Sequence, residues 1–216
     1  MMNLEPITIG IILINVLPSL KGFEDDSFIE KYLFNISAIK HGQHFRMFTS
    51  GFLHADFMHL MFNMLTLYFF ADSVIHELSA QYFLLIYIAS LLFGNILSYY
   101  FHRNEPHYSA LGASGAVSGI VYASILLFPN NDLYVMFIPY PIKAYVVGIG
   151  YLAFSIYGMK KSLGNIGHDA HFGGAVAGFI ITLILRPSIL LEETLIVILM
   201  AIPIVVLFIL TKLGKI

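Results

Sequence analysis

Seven apolar segments follow one another along this 216-residue chain, and they constrain its fold more than any other feature. A helix needs about 20 apolar residues to cross the hydrocarbon core of a bilayer, and most of the segments approach that length. Because lipid cannot hydrogen-bond an exposed backbone, such segments are typical of membrane-spanning helices. We therefore predict an all-α, polytopic membrane protein with helices over residues 7–20, 57–75, 81–101, 114–128, 142–157, 167–185 and 194–213.

The composition is that of a protein whose main solvent is lipid. Hydrophobic residues make up 58% of the chain and charged residues 11%, whereas soluble domains contain about 25% charged residues. The absence of cysteine excludes disulfide bonds, cysteine-based zinc sites and thiolate chemistry. The net charge is −2 and no basic block occurs, so we expect no nucleic-acid partner. The first segment lacks a preceding basic region, and we do not interpret it as a cleaved signal peptide.

The connections between the segments add detail to this architecture. Residues 21–56 mix aromatic and charged side chains, which favours a structured loop at the membrane interface. The first segment carries Asn15 and is predicted to be interrupted at Pro18, and the seventh is predicted to be interrupted at Pro203. Basic residues occur in loops on both sides, so the charge distribution does not predict the orientation in the membrane.

The fourth segment is short, and its first residue, Ser114, is a candidate nucleophile. From Ser114 to Phe128 a helix would span about 22 Å, whereas the hydrocarbon core is about 30 Å thick. If Pro129 marks one membrane face, Ser114 therefore lies below the other. The free N–H groups of a first helical turn favour negative charge. A serine at this position would combine a nucleophilic oxygen with part of an oxyanion hole.

His171, near the start of the sixth segment, is the candidate base for this serine. Small residues spaced four apart allow two membrane helices to approach closely, as a hydrogen bond between Ser114 and His171 would require. Two such glycine pairs occur beside the two candidates, namely Gly115/Gly119 and Gly174/Gly178. Asp169 lies about 200° around the helix from His171 and cannot readily orient its ring, whereas His168 could touch it. We therefore favour a Ser–His dyad over a triad.

The second segment adds two candidate oxyanion donors. His59 and Asn63 are four residues apart and share one helix face, and both could donate to a developing oxyanion. Each polar residue also has a plainer interpretation in isolation, because serine commonly bonds to its own helix and histidine or asparagine commonly joins two helices. The pairs His54/His59 or His168/His171 could bind zinc, but a third ligand at a convincing spacing is lacking. We expect no metal and no cofactor.

Taken together, these motifs resemble the rhomboid family of intramembrane serine proteases. The resemblance is carried by Gly112-Ala113-Ser114-Gly115, His59-x-x-x-Asn63 and Ala170-His171-x-x-Gly174-x-x-x-Gly178. The stretch from Gly42 to His54 is also similar to the first-loop signature of the family. The match covers about residues 42–178. It is specific because all four motifs occur in the same order as in the family.

The resemblance implies a six-helix core with Ser114 as nucleophile and His171 as base. It also implies an oxyanion hole formed by His59, Asn63 and the Ser114 amide. Members of the family cleave transmembrane substrates, often near small residues beside helix-destabilising sequence. They commonly have a cytosolic N-terminus and an active site that opens outward.

The chain departs from the family pattern at three places. Phe45 stands where the family usually has tryptophan before arginine. Ser118 occupies a position that is often aromatic in the family and stacks on the base, so support for His171 must come from elsewhere. The segment over residues 194–213 is additional to the six-helix core and resembles the extra C-terminal span of some members.

We therefore predict an intramembrane serine endopeptidase with a rhomboid-like core over residues 1–186 and an additional helix and short tail over residues 187–216. The expected partners are transmembrane protein substrates and the lipid bilayer, in the plasma membrane of a prokaryote. Two alternatives stay open. One is a non-catalytic rhomboid-like binding protein, and the other is a seven-helix metal-dependent hydrolase or a transporter.

Overall fold

The computed structural model describes residues 5–135, 138–161, 163 and 167–216, and most of these residues are helical. The helices are α1 (Pro6–Glu24), α2 (Asp26–Tyr32), α3 (Ile36–Lys40), α4 (Arg46–Thr49), α5 (Phe57–Leu78), α6 (Ala80–His102), α7 (Ser114–Leu127), α8 (Ala144–Lys161), α9 (His168–Leu185), α10 (Ile189–Glu192) and α11 (Thr194–Lys212). Two short antiparallel pairs join β1 (Phe34–Asn35) to β2 (Ser109–Ala110) and β3 (Asp132–Leu133) to β4 (Ile142–Lys143).

Each predicted apolar segment corresponds to one helix, although several helices extend beyond the predicted ends. The prediction of an all-α, polytopic membrane protein is confirmed. Within the described part of the chain, five helices are long and apolar enough to cross a membrane, namely α1, α5, α6, α9 and α11. The helix α7 is shorter, with 14 residues, and it begins at Ser114.

The predicted interruptions at Pro18 and Pro203 are wrong, because α1 and α11 continue through both prolines for 19 residues each. A proline inside a helix lacks the N–H that would bond the carbonyl four residues earlier. In membrane helices this loss is tolerated, since neighbouring groups satisfy the freed carbonyl. One consequence is that α1 extends to Glu24, so the interfacial loop begins at Asp25 and not at residue 21.

The interfacial loop is organised around Arg46, which is buried despite its charge. Its Nη1 donates to the backbone oxygens of Glu30 at 2.7 Å and Leu33 at 2.9 Å. Burial lowers the pKa of the guanidinium from its usual value. Phe45, where the family usually has tryptophan, lies edge-on to the Tyr32 ring with 6.2 Å between centroids. The loop is therefore a folded element with its own hydrogen bonds, as the sequence predicts.

Polar side chains attach α1 to the rest of the protein. The Asn15 side chain is fully buried, and its Nδ2 donates to Tyr87 Oη on α6 at 3.1 Å and to Ile11 O at 2.8 Å. An amide that bonds across two helices in a low-dielectric interior specifies how they are oriented. Asn15 therefore acts as an interhelical contact between α1 and α6.

Glycines bring α7 and α9 into backbone contact at the centre of the protein. A Cβ added to Gly174 would overlap the backbone oxygen of Gly115, and a Cβ added to Gly178 would lie 2.6 Å from the Gly119 Cα. A Cβ added to Gly94 on α6 would also lie 2.6 Å from the Ala170 oxygen of α9. The two glycine pairs singled out in the sequence thus face each other across one helix interface.

The seventh long helix, α11, packs against α8. Met200 of α11 is fully buried, and its Cε would lie 3.3 Å from a Cβ placed on Gly148 of α8. The same position on Gly148 would lie 3.3 Å from Ile125 of α7. Helix α8 therefore packs against both α7 and α11 at Gly148.

Replacing Gly178 by alanine tests the contact between α7 and α9. Because the new Cβ has no space beside Gly119, we expect the free energy of unfolding to fall by about 1–3 kcal/mol, the usual cost of overpacking a core. Gly150→Ala on α8 is the matched control, since nothing lies within 4 Å of its added Cβ. Thermal unfolding in detergent measures both variants. Equal midpoints for Gly178→Ala and Gly150→Ala would contradict the close approach of the helices.

Candidate active site

An open cavity with a volume of about 1360 Å³ lies between α5, α7, α8 and α9. The four side chains predicted for the site all line it, namely Ser114, His171, His59 and Asn63. These residues come from three helices and span more than a hundred positions of the chain. The fold therefore brings the whole predicted constellation to one place.

The backbone turn before α7 positions Ser114. Gly112 has φ +136°, which favours glycine, and its N–H donates to the Ser50 oxygen at 3.0 Å. A Cβ at Gly112 would lie 2.6 Å from His59 Cε1 and 3.7 Å from Ser114 Oγ. The glycine thus allows the backbone to pass between the imidazole of His59 and the serine hydroxyl.

The first turn of α9 positions His171 beside this serine. A Cβ on Gly115, the residue after Ser114, would lie 3.2 Å from the backbone oxygen of Ala170, the residue before His171. The two helix starts therefore touch through their backbones, one position away from each predicted catalytic residue. Among the described residues no direct hydrogen bond joins the two side chains, and such bonds commonly shorten only when substrate binds.

Asp169 turns away from His171. Its carboxylate is almost completely buried, and its Oδ2 lies 3.5 Å from Nε2 of His102 at the end of α6. The His168 ring lies edge-on to the His171 ring with 6.4 Å between centroids. This arrangement agrees with a dyad, because the Asp169 carboxylate faces His102 and does not orient His171.

The two oxyanion candidates share the start of α5. Asn63 Nδ2 donates one hydrogen to the His59 backbone oxygen at 3.0 Å. Since an amide nitrogen carries two hydrogens, the second stays available to the cavity. Asp56 caps the helix by accepting the His59 N–H at 2.8 Å. Asp56 is therefore engaged as a helix cap, which is the usual role of a carboxylate at a helix start.

The histidines considered for zinc lie in pairs. The His54 and His59 rings lie edge-on with 5.0 Å between centroids. Within residues 5–135, 138–161, 163 and 167–216, no group of three or more His, Asp or Glu side chains is arranged to hold a metal ion.

The structure gives His54 a role that the sequence did not reveal. Its ring is fully buried, with Nδ1 at 2.9 Å from Ser19 Oγ and Nε2 accepting the Ala113 N–H at 3.4 Å. The Ser19 hydroxyl donates its hydrogen to the backbone oxygen of Asn15 at 2.7 Å. The His54 Nδ1 therefore carries the proton that it donates to Ser19 Oγ, and Nε2 is the acceptor. Burial, and the neighbouring His59, lower the pKa of His54 to about 3. Neutral His54 thus connects α1 to the residue before Ser114.

A second unanticipated contact involves Ser118 and Tyr151. The Ser118 and Tyr151 hydroxyls are 2.7 Å apart, and the Tyr151 ring lies nearly parallel to the His171 ring. Both residues line the cavity. No sequence motif indicated Tyr151, because the contact joins α7, α8 and α9, and the spacing along one helix cannot reveal it.

The fold and the site together define a class of protein. It is a multi-pass helical membrane protein with a serine and a histidine at two touching helix starts, beside an open cavity. Residues 41–188 match the family model of the Rhomboid domain. The chain therefore belongs to the rhomboid family, and this membership supports the prediction of an intramembrane protease at the level of the family.

Individual relatives agree with this assignment. The chain is similar to "RHOMBOID-like protein 12, mitochondrial" of Arabidopsis thaliana, with 28% identity over 81% of this chain and 56% of the relative. It is similar to "Rhomboid protein 1, mitochondrial" of Saccharomyces cerevisiae, with 32% identity over 60% of this chain and 38% of the relative. It is also similar to "Putative rhomboid protease YdcA" of Bacillus subtilis, with 33% identity over 67% of this chain and 68% of the relative. The matched region thus spans about half or less of the two mitochondrial relatives.

The buried neutral His54 predicts a pH dependence of stability. Between pH 6.5 and about 3 the unfolded chain binds a proton at His54 that the folded protein does not bind. The contribution of neutral His54 to the free energy of unfolding is therefore fully present above pH 6.5, and it is lost as the pH falls through this window. When the pH falls from 7.5 to 5, we expect the free energy of unfolding of the wild type to decrease by about 2 kcal/mol more than that of His54→Gln, because glutamine does not titrate. Unfolding in detergent at both pH values measures the difference, and parallel losses would contradict the assignment.

Proposed function

We propose that this protein is an intramembrane serine endopeptidase that uses Ser114 as nucleophile and His171 as general base. The observation that carries the proposal is the backbone contact between Gly115 and Ala170, which brings the starts of α7 and α9 together on one open cavity. A serine and a histidine used only for packing would not need to line an open cavity between four helices. Membership of the rhomboid family supports the same reaction class.

In the proposed mechanism His171 removes the proton from Ser114 Oγ as this oxygen attacks the carbonyl carbon of a peptide bond. The carbonyl becomes a tetrahedral oxyanion, and the protonated His171 then gives its proton to the leaving amine. The product is an acyl-enzyme on Ser114. A water molecule, deprotonated by His171, attacks the ester and releases the second product.

The oxyanion would be stabilised by donors that are already in place. The backbone N–H groups of the first turn of α7 have no partner within the helix, and they point toward incoming negative charge. His59 and the second hydrogen of Asn63 would supply side-chain donors. Donors that are held in position before substrate binds are the condition for strong electrostatic stabilisation.

The shape of the cavity supports a polypeptide substrate. Its volume of about 1360 Å³ exceeds the roughly 300–1,000 Å³ of sites for small molecules. Apolar side chains of α5 and α8 line one part of it, including Phe62, Phe69 and Val147. We therefore propose transmembrane segments of other proteins as substrates, with the cleaved bond at the polar end beside Ser114.

Two parts of the sequence-based prediction accompany this proposal. The protein is an integral, multi-pass membrane protein. Its location in the plasma membrane of a prokaryote stays a prediction, since its relatives include mitochondrial proteins and Bacillus subtilis proteins. The division into a core over residues 1–186 and an additional helix over residues 187–216 is likewise a proposal.

Removing either member of the dyad tests the reaction. We expect Ser114→Ala and His171→Ala each to reduce cleavage of a transmembrane reporter by at least about 10³-fold, because the two groups act as a unit. Ser188→Ala and His76→Ala serve as matched controls, since both side chains are exposed and lie outside the cavity. Cleavage is measured with purified protein in liposomes. Full activity of folded Ser114→Ala protein would contradict the proposal and favour a hydrolase with a different nucleophile. A wild type that binds the reporter without cleaving it would favour a binding protein.

The oxyanion hole predicts a particular kinetic change. Asn63→Ala removes one donor to the transition state, so we expect kcat to fall by about 10²-fold with KM nearly unchanged. The variant also loses the bond to the His59 backbone oxygen, and thermal unfolding serves as the control for folding. A loss confined to KM would show that Asn63 contributes to substrate binding and not to the oxyanion.

A further inference from the structure

One aromatic ring faces the imidazole of His171, and it comes from α8. The Tyr151 and His171 rings are separated by 6.2 Å between centroids, and their planes differ by 14°. This separation lies within the range of about 4.5–7 Å over which offset aromatic rings attract each other. Among the described residues the other ring beside His171 is that of His168, which lies edge-on at 6.4 Å.

The Tyr151 ring is itself fixed from α7. Its hydroxyl lies 2.7 Å from the Ser118 hydroxyl, and Ser118 is only 5% exposed. The Tyr122 ring lies 6.3 Å from the Tyr151 ring, and the Tyr122 hydroxyl donates to the backbone oxygen of Gly148, one turn earlier on α8. The helix that carries Tyr151 is therefore tied to α7 at two successive turns.

We infer that Tyr151 is a positioning residue for His171 and that Ser118 is its anchor. The inference rests on the proposed function, since it assigns His171 the role of base. A parallel ring restricts rotation of the imidazole and keeps a ring nitrogen directed at Ser114. When His171 takes the serine proton it becomes a cation, and the π face of Tyr151 stabilises that cation. Ser118 thus serves the reaction through Tyr151 without touching substrate.

The roles of the ring and of the hydroxyl are separated by two substitutions. Tyr151→Leu removes the aromatic face, and we expect kcat to fall about tenfold with KM nearly unchanged. Tyr151→Phe keeps the face and loses the anchor, so we expect a loss of about threefold. Tyr157→Leu is the matched control on the same helix, because Tyr157 is 53% exposed and does not line the cavity. We expect it to retain wild-type kinetics.

The anchor is tested by a double-mutant cycle. Ser118→Ala and Tyr151→Phe break the same hydrogen bond from opposite ends, so the double variant should lose no more activity than either single variant. Additive losses would overturn the role of Ser118 as the anchor of Tyr151. Kinetics equal to the wild type in folded Tyr151→Leu would overturn the inference as a whole.

A measurement independent of turnover separates this inference from the proposed function. In protein with isotopically labelled histidine, the Tyr151 ring current shifts the ring-proton resonances of His171, which are assigned by their loss in His171→Gln. We expect this shift to disappear in Tyr151→Leu and to persist in Tyr151→Phe and Tyr157→Leu. An unchanged resonance in Tyr151→Leu would overturn the inference even if cleavage by Ser114 were established. A shift that disappears in a protein without protease activity would contradict the proposed function and leave the ring contact standing.

Discussion

The contact between the backbones of α7 and α9 is the constraint on which the rest of the structure depends. It exists because glycines face each other at Gly115/Gly174 and Gly119/Gly178, and a Cβ on Gly174 or Gly178 would overlap the backbone of α7. A membrane interior offers little hydrophobic drive for helices to associate, so close packing of small residues has to supply it. The same contact aligns the two helix starts, and the predicted dyad depends on that alignment.

The features that are local in sequence could be predicted from it. The apolar segments correspond to the long helices because a bilayer demands continuous apolar runs. The start of α7 at Ser114 followed from the length of the segment before Pro129, and the glycine pairs followed from their spacing of four. Chemistry that needs particular residue types at fixed spacing on one helix could therefore be recognised from the order of the residues alone.

The features that depend on packing between distant segments could not be predicted. Pro18 is predicted to interrupt the first helix, whereas α1 continues through it. His54 is a loop histidine in sequence, whereas the fold places it between Ser19 and Ala113. The ring beside His171 comes from Tyr151, on a helix that bore no motif. Helix α11 adds to this arrangement by packing against α8 beside Gly148, where α7 also contacts it.

The central claim is that Ser114 begins a helix inside the membrane at a cavity that water can reach. Because the chain lacks cysteine, a single Ser114→Cys substitution is a clean reporter in proteoliposomes. Ile184→Cys is the lipid-facing control, because Ile184 on α9 is 70% exposed on the surface of the helix bundle. We predict that a small charged thiol reagent modifies Ser114→Cys and not Ile184→Cys, while a spin label at position 114 reports a depth within the bilayer. An unreactive thiol at position 114, or a spin label there that lies in bulk water outside the bilayer, would contradict this placement of Ser114.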